Sequence, residues 1–242
     1  MSRTQLPMAR LPLPDEAPPG VEVWRLELAL EAPLAQADWE LLSEGERARA
    51  LRLHRHADRL RSVAGRAGLR RLLAERVGAA PRQLEFASGA YGKPYLLHQS
   101  GLPSGAAASA DMAFNVAHAG NCVLIALGAA PAVAALGVDV EMHDAGIELA
   151  ALAAFALTPQ ECLAMHAAAD PLADFFLRWS AKEAALKALG VGVGEYLRQV
   201  AIDRQDGKRL KCTHHMPDWP SLQICPLDVP GNFSAALAWH AA

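Results

Sequence analysis

One order of elements, an apolar strand followed by helices and then further strands, occurs twice in this 242-residue chain. In the first half VEVWRLELAL, from residue 21, predicts a strand. LSEGERARALRLHR and ADRLRSVAGRAGLRRLLAERVG predict two helices, and FNVAH and NCVLIALG predict strands parted by AG. In the second half VAALGVDVE predicts a strand, IELAALAAFAL, TPQECLAMHAA and DFFLRWSAKEAALKALG predict helices, and LRQVAID, LQICPL and FSAALAWH predict strands. The break falls at GAAPA, residues 128–132. This order is compatible with a duplicated α+β unit, although no repeat is visible at the level of residues.

Local signals support the helices. Leu60, Val63, Ala64, Ala67 and Leu72 can share one apolar face, and Gly78 followed by Pro81 ends that run. Thr158, Pro159 and Glu161 carry the N-cap, first-turn proline and capping-box pattern. Gly190 stands just past the long Ala/Leu-rich helix. Residues 1–20 read as a proline-rich lead-in, SGAYGKPYLL as a glycine-punctuated segment, and residues 100–111 as an Ala/Ser/Gly loop.

Composition narrows the class. With 52% hydrophobic and 20% charged residues the chain can bury a core, and a net charge of −3 gives no general reason to bind nucleic acid. The N-terminus places prolines and charges where a signal peptide needs an apolar run, and no window is long and apolar enough to span a bilayer. Cys122, Cys162, Cys212 and Cys225 form no CxxC pair and have no zinc spacing, as expected of buried or incidental thiols in a reducing compartment. These features predict a cytoplasmic protein that neither enters a membrane nor binds nucleic acid.

Several residues could carry chemistry. Asp139 and Glu141, two apart on a strand, project from the same face. Such a pair suits a hard cation, or both carboxylates simply turn to solvent where the strand leaves the core. Glu183 and Lys187 have the spacing and order of a surface helix salt bridge. Eleven arginines, against Asp58 and Glu75 alone, lie between Arg47 and Arg82. Arg55, Arg59, Ser62, Arg66 and Arg70 fall along one helix face there, which suits a multiply charged anion or a solvated surface. His118 and Lys93 read by themselves as structural or solvent-facing residues.

Taken in order, SGAYGKPYL, FNVAHAG, LGVDVE and FFLRWSAKEAALKALG resemble the 4'-phosphopantetheinyl transferase superfamily, in its two-halved single-chain branch that activates carrier proteins. DRLRSVAGRAGLR is similar to that family's D-x-x-R-x-x-x-G helix. The resemblance implies an α+β fold of two similar halves related by a pseudo-twofold. Its N-terminal half, 1–130, would carry the nucleotide-end contacts, and its C-terminal half, 131–242, the metal-binding acids. It implies transfer of the phosphopantetheine arm of coenzyme A to a serine of an apo acyl or peptidyl carrier protein, with Mg2+ and as a monomer. Asp139, Glu141 and Glu183 would hold the metal, and Glu183, Lys187 and His118 would act in catalysis. Arg49, Arg61, Ser62, Lys93, His118 and Lys187 would bind coenzyme A, and Glu161 matches a further acid. Ala117 stands where many relatives have serine, which predicts a lost hydroxyl contact to coenzyme A. Glu46 stands near where a relative offers lysine, a loss that Arg47 and Arg49 are expected to offset. Rival readings are a catalytically degenerate coenzyme A or carrier-binding protein, a metal-dependent phosphodiester hydrolase on the same acids, and a nucleic-acid binder.

Overall fold

A computed structural model describes residues 8–97, 112–205 and 209–240. The expected 100–111 loop lies outside the described residues. In chain order the elements are β1 (Met8–Arg10), β2 (Glu22–Glu27), α1 (Gln36–Trp39), α2 (Glu44–Leu51), α3 (His56–Val77), β3 (Phe86–Ser88), β4 (Pro94–Leu96), β5 (Met112–Ala119), β6 (Cys122–Ala129) and β7 (Ala135–Met142). They continue with α4 (Leu149–Ala156), α5 (Pro159–His166), α6 (Pro171–Leu189), α7 (Val193–Tyr196), β8 (Val200–Arg204), β9 (Leu210–His214), β10 (Gln223–Pro226) and β11 (Phe233–His240).

The two halves share one topology. In the first, β2, β6 and β5 are neighbours in that order, with β1 added at the β2 edge; in the second, the order is β7, β11, β10. Each half thus pairs its first strand with the last strand of a later hairpin, all antiparallel, and inserts its long helix, α3 or α6, between. The expected pair of similar α+β halves is present as topology without a sequence repeat. The elements not anticipated are edge strand β1 in the proline-rich lead-in, the short helix α1, strands β3 and β4 of a hairpin in the glycine-punctuated segment, β9, and the short helix α7.

Alternation along the strands sorts the core. Leu124 and Ala126 of β6, Leu136, Val138 and Val140 of β7, and Leu237 and Trp239 of β11 form one shared apolar cluster. The intervening Val123, Ile125 and Leu127 pack with α3 residues Leu69, Leu72 and Leu73, while Ala236 and Ala238 pack with Ala184, Ala185 and Ala188 of α6. Because β6 is buried on both faces, it reads as a continuous apolar run rather than an alternating one. Each fully buried Leu or Ile contributes about 1.5–3 kcal/mol. The halves meet where β5 runs beside β7, and Asn115 Oδ1 accepts the Val138 amide at 2.9 Å.

The capping signals at Thr158, Gly78 and Gly190 act as read: Thr158 and Glu161 form a capping box on α5, and Gly78 (φ 68°) and Gly190 (φ 71°) close α3 and α6. Asp170, not read as a cap, accepts the Ala173 amide at 3.0 Å and opens α6 three residues before the expected start. Ser43 and Glu46 form a second capping box on α2. All four cysteines are free thiols, and among the described residues no helix is long and apolar enough to cross a membrane.

Candidate active site

The shared apolar cluster takes Leu136, Val138 and Val140, so the alternate residues of β7, namely Gly137, Asp139 and Glu141, turn toward α6. Gly137 sets how close that helix comes. A Cβ there would stand 2.1 Å from Ala184 O and 2.4 Å from Ala188 N, so only glycine allows the contact. On α6, Trp179, Glu183 and Lys187 recur every four residues along one stripe. The close helix–strand approach delivers that stripe to the β7 carboxylates.

The result is a cluster in which one ligand atom each from Asp139, Glu141 and Glu183 lies within 4.8 Å of the others. Lys187 Nζ donates to Asp139 Oδ1 at 2.5 Å and lies 3.2 Å from Glu183 Oε2. The Trp179 indole donates to Glu141 Oε1 at 3.1 Å. Asp139 is 3% exposed, and its Oδ2 is buried without a hydrogen-bond partner.

Burial raises the Asp139 carboxyl well above the usual carboxylate range, with Lys187 opposing and Glu183 and Glu141 reinforcing. Glu141 is pushed up to about 7, first by burial and then by the Glu183 charge. Burial pulls Lys187 down, but Asp139 and Glu183 outweigh it and keep the ammonium charged beyond the ordinary lysine range. Crowded carboxylate oxygens with an orphaned lone pair fit a hard divalent cation, which takes oxygen ligands and relieves like-charge repulsion.

His118, the penultimate residue of β5, lies on the same strand face as Phe114 and Val116, the face that packs toward α3. Desolvation on its inner side, with the Arg61 and Lys187 charges nearby, lowers its proton affinity below the ordinary histidine value. Arg61 of α3 donates to Gly120 O at 2.6 Å, in the turn just after His118, and pairs with Asp58 at 2.5 Å. His118 is exposed at the end of the sheet, where the Arg61 and Lys187 charges both bear on it. Ser62 is half-buried beside Arg61, and exposed Arg49 in the last turn of α2 lies near the Arg66 guanidinium.

Lys93, in the turn that leads into β4, donates to Leu136 O at 2.9 Å and Ala188 O at 3.0 Å, bridging the start of β7 to the end of α6. Burial lowers its pKa to about 8. A cavity of about 240 Å³ is bounded by Lys93, Asn115 and Lys187 together with Tyr91 and residues 190–193.

Other expectations are corrected. Glu161 accepts the Thr158 and Ile202 amides, each at 2.7 Å, and pairs with fully buried Lys182 at 2.8 Å; it serves as cap and buried ion partner outside the three-acid cluster. Lys182 also donates to the carbonyls of Ala156, Leu197 and Val200. Along the arginine face, Arg55 is exposed, Arg59 and Arg66 are half-buried and Arg70 turns inward. Arg70 is 2% exposed, pairs with Glu46 at 2.8 Å, donates to Pro81 O and Leu84 O, and covers the Phe86 ring.

Arg66 also pairs with Glu46, Arg71 with Asp38 and Arg76 with Glu22. Glu46 therefore pairs with two arginines and caps α2. Arg47, expected to offset it, donates instead to Trp39 O and Glu40 O. Ala117 is 4% exposed in the shared core, so its side chain faces away from the cleft and leaves no missing hydroxyl there. Trp179 and Gly137 were not singled out by sequence reasoning. Only their spacing, four before Glu183 and two before Asp139, could have pointed to them.

Comparison with known proteins places this geometry. A profile described as the 4'-phosphopantetheinyl transferase superfamily matches residues 135–238, and one described as 4'-phosphopantetheinyl transferase, N-terminal, matches residues 33–130. A protein of Synechocystis sp. is 33% identical over 192 residues, 78% of this chain and 73% of its own. The 4'-phosphopantetheinyl transferase HetI of Nostoc sp. is 30% identical over 221 residues, 90% of this chain and 86% of its own. A phosphopantetheinyl transferase of Thraustochytrium sp. is 29% identical over 244 residues, 93% of this chain and 81% of its own. With two relatives at 30% identity or more aligned along most of their length, and both halves matched by family profiles, the chain belongs to the 4'-phosphopantetheinyl transferase superfamily.

Proposed function

We propose that the protein transfers the 4'-phosphopantetheine arm of coenzyme A to a serine of an apo acyl or peptidyl carrier protein, releasing adenosine 3',5'-bisphosphate. The observation that supports this most is the convergence of Asp139, Glu141 and Glu183 on Lys187, in a chain of this family. We assign the three acids to Mg2+, which when bound supplies positive charge to the coenzyme A diphosphate.

In this reading the serine oxygen attacks the phosphorus that carries the pantetheine arm, the P–O bond to the nucleotide phosphate breaks, and the electron pair leaves with the nucleotide. Lys187 offsets charge on the phosphoryl oxygens, and His118 donates a hydrogen bond to a phosphate. Glu183, half-buried on α6, takes the serine proton. Arg61, Ser62 and Arg49 hold the nucleotide end, and Lys93 meets phosphate from the hairpin side. The division into an N-terminal nucleotide-end half, 1–130, and a C-terminal metal-binding half, 131–242, belongs to the same proposal. So does action as a cytoplasmic monomer, since both halves of the cleft lie in one chain.

Chromatographic detection of adenosine 3',5'-bisphosphate tests the reaction. Release that requires apo carrier protein, coenzyme A and Mg2+ together supports transfer. Breakdown of coenzyme A at the same rate without carrier favours a hydrolase, and coenzyme A binding with no turnover favours a degenerate binding protein.

A further inference from the structure

The stripe that carries Glu183 and Lys187 begins one step earlier, at Trp179, four residues before Glu183. Its indole Nε1 donates to Glu141 Oε1 at 3.1 Å, across the helix–strand interface. Its ring packs beside Phe175 of the same helix, with centroids 5.7 Å apart, and borders the clusters around Ala185 and Met165. The indole is thus held from behind by apolar contacts and presents its only polar atom to the carboxylate. Of the three acids, Asp139 and Glu183 are drawn together by the Lys187 ammonium, whereas Glu141 is oriented by a neutral donor.

A neutral donor has a particular advantage in that place. It fixes the carboxylate plane without adding a positive charge that would repel a cation, and outer partners of this kind tune metal affinity through the ligand they hold. We propose that Trp179 is a positioning residue that orients Glu141 for divalent-cation binding, and that it sets the metal affinity of the cluster through this hydrogen bond. The inference rests on the assignment of Asp139, Glu141 and Glu183 to a metal.

Mn2+ titrated into the full-length protein, followed by loss of the free-ion paramagnetic resonance signal, tests it without any turnover. Trp179→Phe keeps an aromatic ring against Phe175 and removes the donor together with part of the indole's volume, which the Glu141→Gln background separates from the hydrogen bond. The expected result is an Mn2+ Kd raised by about 10-fold, within the range that outer-partner substitutions produce, with Tm nearly unchanged. In a Glu141→Gln background the same substitution is expected to change Kd less than about twofold, because the coupling runs through that carboxylate.

An equal effect in both backgrounds means that Trp179 acts through packing and overturns the proposal, as does a Trp179→Phe affinity equal to that of the wild type. Should Trp179→Phe fold poorly, Trp179→Met, alone and with Glu141→Gln, completes the same cycle, since methionine fills apolar space and has no hydrogen-bond donor. A wild-type protein that leaves the Mn2+ signal untouched at millimolar ion overturns the metal assignment itself, a failure distinct from that of the Trp179 role.

Discussion

Lys187 Nζ lies 2.5 Å from Asp139 Oδ1, joining α6 to β7 by an ion pair in which the carboxylate is almost wholly buried. The same ammonium reaches Glu183 at 3.2 Å, so one lysine is shared by two of the three acids. A divalent cation would compete for those oxygens. Lys187→Met is therefore expected to tighten Mn2+ binding severalfold in the absence of coenzyme A while lowering transfer by about 100-fold, the scale of a lost charge-stabilising donor. Weaker Mn2+ binding by this variant would show that Lys187 builds the site rather than competing in it.

Glu183→Gln preserves size and hydrogen-bonding capacity but removes the group proposed as base and one negative charge from the three-acid cluster. Transfer is expected to fall by at least about 1,000-fold, which combines the loss of proton transfer with a weakened metal site, and the circular-dichroism spectrum is expected to stay unchanged. Substantial turnover in this variant would remove Glu183 from the role of base.

The raised Glu141 pKa fixes the sign of a pH effect. Its folded value is about 7 against an ordinary 4.5, so between those values the folded protein holds the proton more tightly than the unfolded chain does. Glu141 therefore makes the metal-free protein less stable as pH rises from about 4.5 through about 7, the reverse of an ion-paired carboxylate. Saturating Mg2+ should offset that loss above pH 7. Tm measured across this range with and without metal, in the wild type and in Glu141→Gln, checks the effect; the variant's curve is expected to be flatter.

The Glu161–Lys182 pair bears on stability rather than chemistry. Removing one partner leaves the other charged and buried, which costs about 3–5 kcal/mol. Lys182→Met is thus expected to lower stability strongly in chemical denaturation, and Glu161→Gln combined with it should recover part of the loss. A double variant that is simply the sum of its singles would show that the two residues are uncoupled.

Arg61 tests the nucleotide end. Arg61→Ala is expected to raise the KM for coenzyme A more than that for 3'-dephospho-coenzyme A, because only the former offers the 3'-phosphate. Equal increases would mean that Arg61 acts solely through its bond to Gly120 O in the turn beside His118.

Much of this was legible in the sequence, for physical reasons that differ by element. The Thr158–Glu161 box and the glycines at 78 and 190 are local signals, and they act where they were read. The edge strand Met8–Arg10 and the β3–β4 hairpin depend on partners that short polar or proline-rich segments do not announce. Arg70 falls on a face suited to an anion or to solvent, yet it and Lys182 are buried because carbonyls and a glutamate from distant elements gather around each.

The meeting of Glu183 with Asp139 and Glu141 could not be read from spacing. It followed from the family resemblance, and physically it depends on Gly137, whose missing side chain lets α6 close on β7.

The most direct measurement of the central claim is intact-mass spectrometry of a purified apo carrier protein after incubation with this protein, coenzyme A and Mg2+. A mass gain of one phosphopantetheine arm is expected, lost without Mg2+ and lost with Glu183→Gln. Carrier proteins of several classes that keep their apo mass, in the presence of a folded protein that binds coenzyme A, would contradict it.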